Sequence, residues 1–240
     1  MTSPAGVYFW LEAGTVLLPL LLSFDQKVHY YRRFRFLIPA IFLPLIPFVI
    51  WDWLFTEAGI WWFSDTYTLG LKLGPLPLEE WGFFVAVPFG CLFIYDCLNR
   101  WLPWESDGRW VRRGTLWGVG LVLFIGLLFY ERLYTSVTAV SFAVAWGLHL
   151  AVHGWQWAGR IWRAWALCQI PFFAVNGVLT SLPVVSYNDA QNLGLRIGSI
   201  PAEDTFYGMT LFLLNVTVYE YVQRRTGVPA PGTARTKVAA

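Results

Sequence analysis

Residues 69–80 read LGLKLGPLPLEE, and residues 193–204 read LGLRIGSIPAED. Six of the twelve positions are identical: Leu69/Leu193, Gly70/Gly194, Leu71/Leu195, Gly74/Gly198, Pro77/Pro201 and Glu79/Glu203. Lys72/Arg196 and Glu80/Asp204 are close swaps. The offset of 124 continues upstream, where Ile46-Pro47-Phe48 matches Ile170-Pro171-Phe172, Asp52 matches Asn176 and Asp65 matches Asp189. Downstream, Tyr95-Asp96 matches Tyr219-Glu220. Chance likeness between apolar segments does not keep Gly, Pro and carboxylates in register, so the chain reads as a duplication.

The repeat sits in a very apolar chain. Of 240 residues, 57% are hydrophobic and 13% charged, and the mean hydropathy is +0.51. A soluble domain carries about 25% charged residues. Half that share cannot cover a water-facing surface, so a polytopic membrane protein is implied. A net charge of +2 gives no reason to expect nucleic acid as a partner. Cys91, Cys97 and Cys168 lie in apolar runs, which argues against a disulfide framework or a Cys-based metal site.

Seven apolar stretches, 7–23, 36–56, 78–98, 115–130, 133–152, 162–182 and 205–222, approach the roughly 20 residues a helix needs to cross a bilayer. No basic residue precedes the first, which therefore reads as a span and not as a cleaved signal. All but Lys72, Arg132 and Arg196 of the 17 Lys and Arg fall in alternate loops and the C-terminal tail. The positive-inside rule then puts the N-terminus outside and the C-terminus in the cytoplasm. The expected fold is all-α: an integral membrane protein of seven transmembrane helices, built as two parallel three-helix repeats joined by a linker helix. The expected units are 1–106 and 133–226 for the repeats, 107–132 for the linker, and 227–240 for a disordered cytoplasmic tail. An offset of four spans makes the repeats parallel, so both place their motifs at the same surface.

That places six acid or amide groups at one depth. Glu79-Glu80 and Glu203-Asp204 open spans three and seven just after Pro77 and Pro201, residues suited to a first helical turn. Asp52 and Asn176 lie about one turn from the ends of spans two and six, and Glu12 falls near the same depth. A single Glu there would pass as a helix cap. Adjacent carboxylates in both halves, with an intramembrane Asp beside them, point to function. Like charges so close in a low dielectric cannot all ionise, which leaves protonated and ionised carboxyls side by side, as acid–base chemistry requires. Lys72 and Arg196, five residues before each Pro, are candidate partners for these carboxylates or interfacial anchors. Of the 45 aromatic residues most belong to membrane belts, but a few near the acids could stabilise a cation.

Several chemistries find no support. No GxGxxG follows a strand, and the seventh span holds no Lys for a Schiff base. His29, His149 and His153 are too few for a His-rich di-iron site, and His149 and His153 read as interfacial residues.

Two copies of Pro-x-Glu-(Glu/Asp), each after a Gly-rich apolar stretch and before an aromatic-rich span, resemble the lycopene cyclases of the heterodimeric bacterial and fused archaeal or fungal type. The matching segments are Pro77-Leu78-Glu79-Glu80-Trp81-Gly82-Phe83-Phe84 and Pro201-Ala202-Glu203-Asp204-Thr205-Phe206, with Trp51-Asp52 and Trp62-Phe63 beside them. The resemblance spans roughly residues 7–225. It implies a redox-neutral, cofactor-free cyclisation of lycopene ends, towards β-carotene by way of γ-carotene. Glu79, Glu80, Glu203, Asp204 and Asp52 would be the catalytic carboxyls. Asn176, Pro77, Pro201, Phe83, Phe84, Phe206, Tyr207 and Glu12 would surround the substrate, with no metal. As partners it implies a membrane-dissolved C40 polyene, the lipid bilayer, and association with a second copy or with other carotenoid enzymes. Asn176 for Asp52 and Asp204 for Glu80 make the halves unequal. The competing reading is a small 3+1+3 parallel-repeat transporter using intramembrane carboxylates, which would need a polar path to both surfaces.

Overall fold

The computed structural model describes residues 5–102 and 108–227; the expected disordered tail, beyond Gly227, lies outside the described residues. The chain is all-helical apart from short loop strands. Helix α1 (Val7–Leu22) leads through a 3-10 turn (Tyr30–Arg33) into α2 (Phe34–Glu57). Strands β1 (Trp61–Phe63), β2 (Lys72–Leu73) and β3 (Leu76–Pro77) precede α3 (Leu78–Trp101). Helices α4 (Arg109–Leu128), α5 (Leu133–His153) and α6 (Ala158–Ser181) follow, then β4 (Val185–Tyr187), β5 (Arg196–Ile197), β6 (Ile200–Pro201) and α7 (Ala202–Arg225). Five helices, α2 to α6, are long and apolar enough to cross a membrane. Of the other two expected spans, α1 is apolar but only 16 residues long, and α7 has the length, 24 residues, with a more polar sequence. Helix α4 begins at Arg109, six residues before the expected 115, so part of the basic loop is helical.

The loops before α3 and α7 fold identically in the two repeats. β2 pairs with β3 as Lys72↔Pro77 and Leu73↔Leu76; β5 pairs with β6 as Arg196↔Pro201 and Ile197↔Ile200. The Leu78 and Ala202 amides donate to Leu71 and Leu195 carbonyls at 2.8 and 2.9 Å. Pro77 and Pro201 thus end a strand and stand at the helix N-cap. Gly74 turns the first hairpin at φ +68°, and the Trp53 ring occupies the space a Cβ would need, so only glycine fits there.

The third strand pair joins the halves. β1 runs antiparallel to β4 with Trp61↔Tyr187, Trp62↔Ser186 and Phe63↔Val185. Since 186 is 62 plus 124, a pseudo-two-fold axis passes through the Trp62/Ser186 pair. Around it α2 packs on α7 and α3 on α6, while α1 and α5 lean on α3 and α7. Helix α4 lies outside this arrangement and packs chiefly on α5, where Gly126 meets Ala139 closely. Large apolar side chains such as Leu43, Ile50, Leu121 and Phe124 face outward, as a bilayer would have them.

The far end of α3 and α7 carries a second symmetric feature. The Tyr95 hydroxyl donates to Glu220 Oε1 at 2.8 Å, and the Tyr219 hydroxyl donates to Asp96 Oδ1 at 3.0 Å. Arg33 and Arg100 pair with Asp96 at 3.3 and 2.8 Å. His149 and His153 are buried: they bond the Thr217 hydroxyl and carbonyl at 2.9 Å and tie α5 to α7 near the end of α5.

Candidate active site

The expected acid layer divides in two. The first acid of each motif serves the loop. Glu79 Oε1 accepts the Leu69 amide at 2.6 Å, and Glu203 Oε1 accepts the Leu193 amide at 2.7 Å. Glu203 Oε1 also accepts the Thr135 hydroxyl at 2.7 Å. An exposed-chain donor and a helix N-terminus are both natural partners for a carboxylate. The second acid, one residue on and so turned about 100° around the helix, points into a cavity. Glu80 Oε2 accepts the Tyr8 hydroxyl at 2.5 Å. Asp204 Oδ1 accepts the Tyr134 hydroxyl at 2.5 Å and Oδ2 the Tyr187 hydroxyl at 2.7 Å. Burial, then the Asp204 charge, holds the Tyr187 phenol well above its ordinary range, so it remains a donor.

Asp52, on α2, accepts the Trp61 indole N–H on Oδ1 at 2.5 Å. Its other oxygen, Oδ2, is buried with no hydrogen-bond partner among the described residues, and Glu80 lines the same cavity. Buried carboxyls that face one apolar cavity do not all ionise, so a proton is held among them. Asp52, Glu80 and Asp204 are all buried, and no Lys or Arg stands among the residues lining the cavity.

The cavity is partly open, and with its open part it spans about 770 Å³. Of the residues expected to surround a substrate, Asn176, Phe83 and Tyr207 line it; Pro77, Pro201, Phe84, Phe206, Glu12, and with them Glu79 and Glu203, do not. Phe84 packs on Phe48, Phe206 packs on Phe142, and Glu12 lies over Gly82. Seven further aromatic residues line it: Tyr8, Trp61, Phe63, Tyr134, Phe172, Tyr187 and Phe212. The Trp61 ring lies 5.2 Å from Tyr134, 6.1 Å from Tyr207 and 6.2 Å from Tyr187, centroid to centroid. The signal for Tyr8 and Tyr134 is a repeat offset of 126, not 124: Phe34, which opens α2, lies 26 residues after Tyr8, and Ala158, which opens α6, lies 24 after Tyr134.

Lys72 and Arg196 do not reach the motif carboxylates. They pair with Asp65 at 2.6 Å and Asp189 at 2.5 Å, a symmetric clasp within each loop. The Asn192 amide, and then Arg196, hold the Asp189 carboxyl below its usual range. Among the described residues no group of three or more His, Cys, Asp or Glu is disposed to hold a metal ion.

Fold and site together define a helical membrane protein of two interlocked repeats around one acidic, aromatic-walled cavity. The family model described as lycopene cyclase matches residues 6–98 and 131–222, which are the two repeats without α4. The chain belongs to the lycopene cyclase family, a family of carotenoid cyclases. No curated protein and no solved structure matches it.

Proposed function

We propose that the chain closes the linear end group of lycopene, without redox change, by proton addition and proton loss in this cavity. The observation that carries the reading is that the Asp52–Glu80 pair and Asp204 are buried around one apolar chamber with no Lys or Arg among its lining residues. The pair delivers its proton to the terminal double bond of the substrate. The tertiary cation is attacked by the internal double bond, forming the ring bond and moving the positive charge onto the ring. Trp61, Tyr134, Tyr187 and Tyr207 offer π faces to these cations. Asp204, held by two phenols, takes a ring proton, and a new ring double bond forms. One proton enters and one leaves, so the product is an isomer. A proton hop from Asp204 back to the pair across the same chamber restores the starting state. The apolar walls keep water from capturing the cation. By the distribution of basic loops, the chamber lies towards the outer face of the cell membrane.

Among the described residues this cavity gives the transporter reading no path to the far end. The cavity ends near Cys91 and Asn215, and the far end is closed by the Tyr95–Glu220 and Tyr219–Asp96 bonds. The test is pigment analysis in a lycopene-accumulating host at matched membrane expression. Glu80→Gln and Asp204→Asn should each lower ring formation by about 10²–10⁴-fold, the range for general acid–base groups. Normal ring formation in both variants would overturn the assignment.

A further inference from the structure

The hairpins that lead into α3 and α7 fold alike, and both leave the same positions uncovered. Leu71 and Leu73 are 58% and 54% exposed; their counterparts Leu195 and Ile197 are 63% and 50% exposed. Each pair is spaced by two, which puts its side chains on one face of extended chain. Large apolar side chains held out of a fold mark a contact with something apolar, and both copies of the repeat hold them out.

Both hairpins lie back along the bundle. The turn at Gly74 rests on the ring of Trp53, which stands four residues inside the end of α2. The second turn meets α6 at the same level. The Ser199 hydroxyl pairs with the Thr180 hydroxyl at 2.6 Å and donates to the Gly177 carbonyl at 3.4 Å, and Gly177 stands four residues inside the end of α6. Trp53 and Gly177 are themselves counterparts at the offset of 124. Four residues are about 6 Å of helix, so the turns reach about that far below the helix ends.

Depth in the bilayer follows from helix length. Helices α2, α3, α6 and α7 each hold 24 residues, which is about 36 Å of helix. The hydrocarbon core of a bilayer is about 30 Å thick, and the headgroup zones bring the whole to about 40–45 Å. A centred helix of this length passes the core by about 3 Å at each end, so the two turns come down to the hydrocarbon boundary. Charge allows it. Lys72 is the one charged residue of 69–77, and Arg196 the one of 193–201. Each is paired within its own loop, with Asp65 at 2.6 Å and Asp189 at 2.5 Å. Non-helical backbone is tolerated at that level where it is packed on protein, as both turns are.

We propose that the two hairpins are shallow re-entrant loops, with the Leu71–Leu73 and Leu195–Ile197 edges lying among lipid chains at the hydrocarbon boundary of the leaflet that holds the acid layer. The partner of this surface is lipid. The Leu71 and Leu195 carbonyls accept the first amides of α3 and α7, and the Leu69 and Leu193 amides donate to Glu79 and Glu203. Hairpin and motif are thus one body, which brings the lipid contact up to the motif acids. The inference holds whatever reaction the cavity performs.

Nitroxide labels on single cysteines test it. Leu71→Cys, Leu73→Cys, Leu195→Cys and Ile197→Cys are made with the three native cysteines replaced by alanine. Each protein is placed in phosphatidylcholine–phosphatidylglycerol vesicles. Relaxation by oxygen, which concentrates in lipid, is compared with relaxation by a water-soluble nickel chelate. Oxygen should outweigh the chelate severalfold at all four sites. Ala190→Cys, exposed in the polar run 188–192 of the second loop, should show the reverse. The unaltered chain gives a second reading: a carbene precursor carried on a lipid chain should mark Leu71, Leu73, Leu195 and Ile197 and spare 188–192. If the cysteine-free chain fails to accumulate, the carbene reading decides. Chelate preference or absence of carbene marking at either hairpin would overturn the proposal. So would shielding from both oxygen and chelate, the result expected if a second copy or another protein covers the edges.

Discussion

At the scale of single residues, adjacent acids are given different work by their direction around one helical turn. Glu79 faces the Leu69 amide and Glu80 faces the cavity. Glu79→Gln keeps a carbonyl acceptor for that amide, so it should cost less than about tenfold in ring formation, against at least about 10²-fold for Glu80→Gln. A side-by-side pigment assay decides; equal losses would return Glu79 to the catalytic set. Asp52→Asn makes the position chemically like Asn176 and removes one of the three carboxyls that line the cavity. Ring formation should fall by about 10²-fold or more while the protein remains in the membrane, and a near-normal rate would remove Asp52 from the site. The repeated Pro-x-Glu motifs made this depth legible, because Gly, Pro and acids survive duplication in register. The split between Glu79 and Glu80 was not legible. It depends on where the loop amides of Leu69 and Leu193 return, and tertiary contacts alone determine that.

At the scale of elements, the helices join by a few buried polar contacts across apolar faces. The crossed pair Tyr95–Glu220 and Tyr219–Asp96 locks α3 to α7. Tyr95→Phe and Tyr219→Phe each leave a buried acceptor short of a donor, at about 1–3 kcal/mol. Tyr95→Phe should be the costlier, since Asp96 keeps Arg33 and Arg100. Unfolding in detergent measures both, and unchanged stability would make the pair incidental. Helix α4 depends instead on close approach. Gly126→Leu would drive a side chain into Ala139 and should destabilise the α4–α5 contact by about 1–3 kcal/mol, read as earlier proteolysis or a lower unfolding midpoint. Hydropathy located all seven helices to within a few residues, apart from the start of α4. It could not locate strands of two or three residues, which are too short for any alternation to emerge. Nor could it assign Lys72 and Arg196, whose partners Asp65 and Asp189 lie across a hairpin turn.

At the scale of the whole molecule, neither repeat owns the cavity. Asp52, Glu80 and Trp61 come from the first, and Asp204, Tyr134 and Tyr187 from the second. The halves meet through β1–β4, α2–α7 and α3–α6, none of which needs a covalent link. Cutting the chain in the turn between α4 and α5 should therefore leave two pieces, residues 1–130 and 131–240. Together they should restore ring formation; singly they should give none. Activity from one piece alone would contradict a shared chamber. Duplication and its parallel sense could be read from the residues. The unequal packing of the two halves could not, because Gly208 against Phe84 gains meaning only once Phe172 and Phe48 are seen across from them.

The β1–β4 pair also sets a schedule. Trp62 and its partner Ser186 are 124 residues apart, so at a synthesis rate of about 5–20 residues per second the first strand waits roughly 6–25 s for the second. Through that interval Asp52 and Glu80 are already in the membrane with only Tyr8, Trp61 and each other for company, and an intramembrane carboxyl without its full complement is costly. The first half of a neighbouring nascent chain presents almost the same surface. Each new molecule is thus in a race between its own second half and a stranger's first, and crowded synthesis shortens the odds against it.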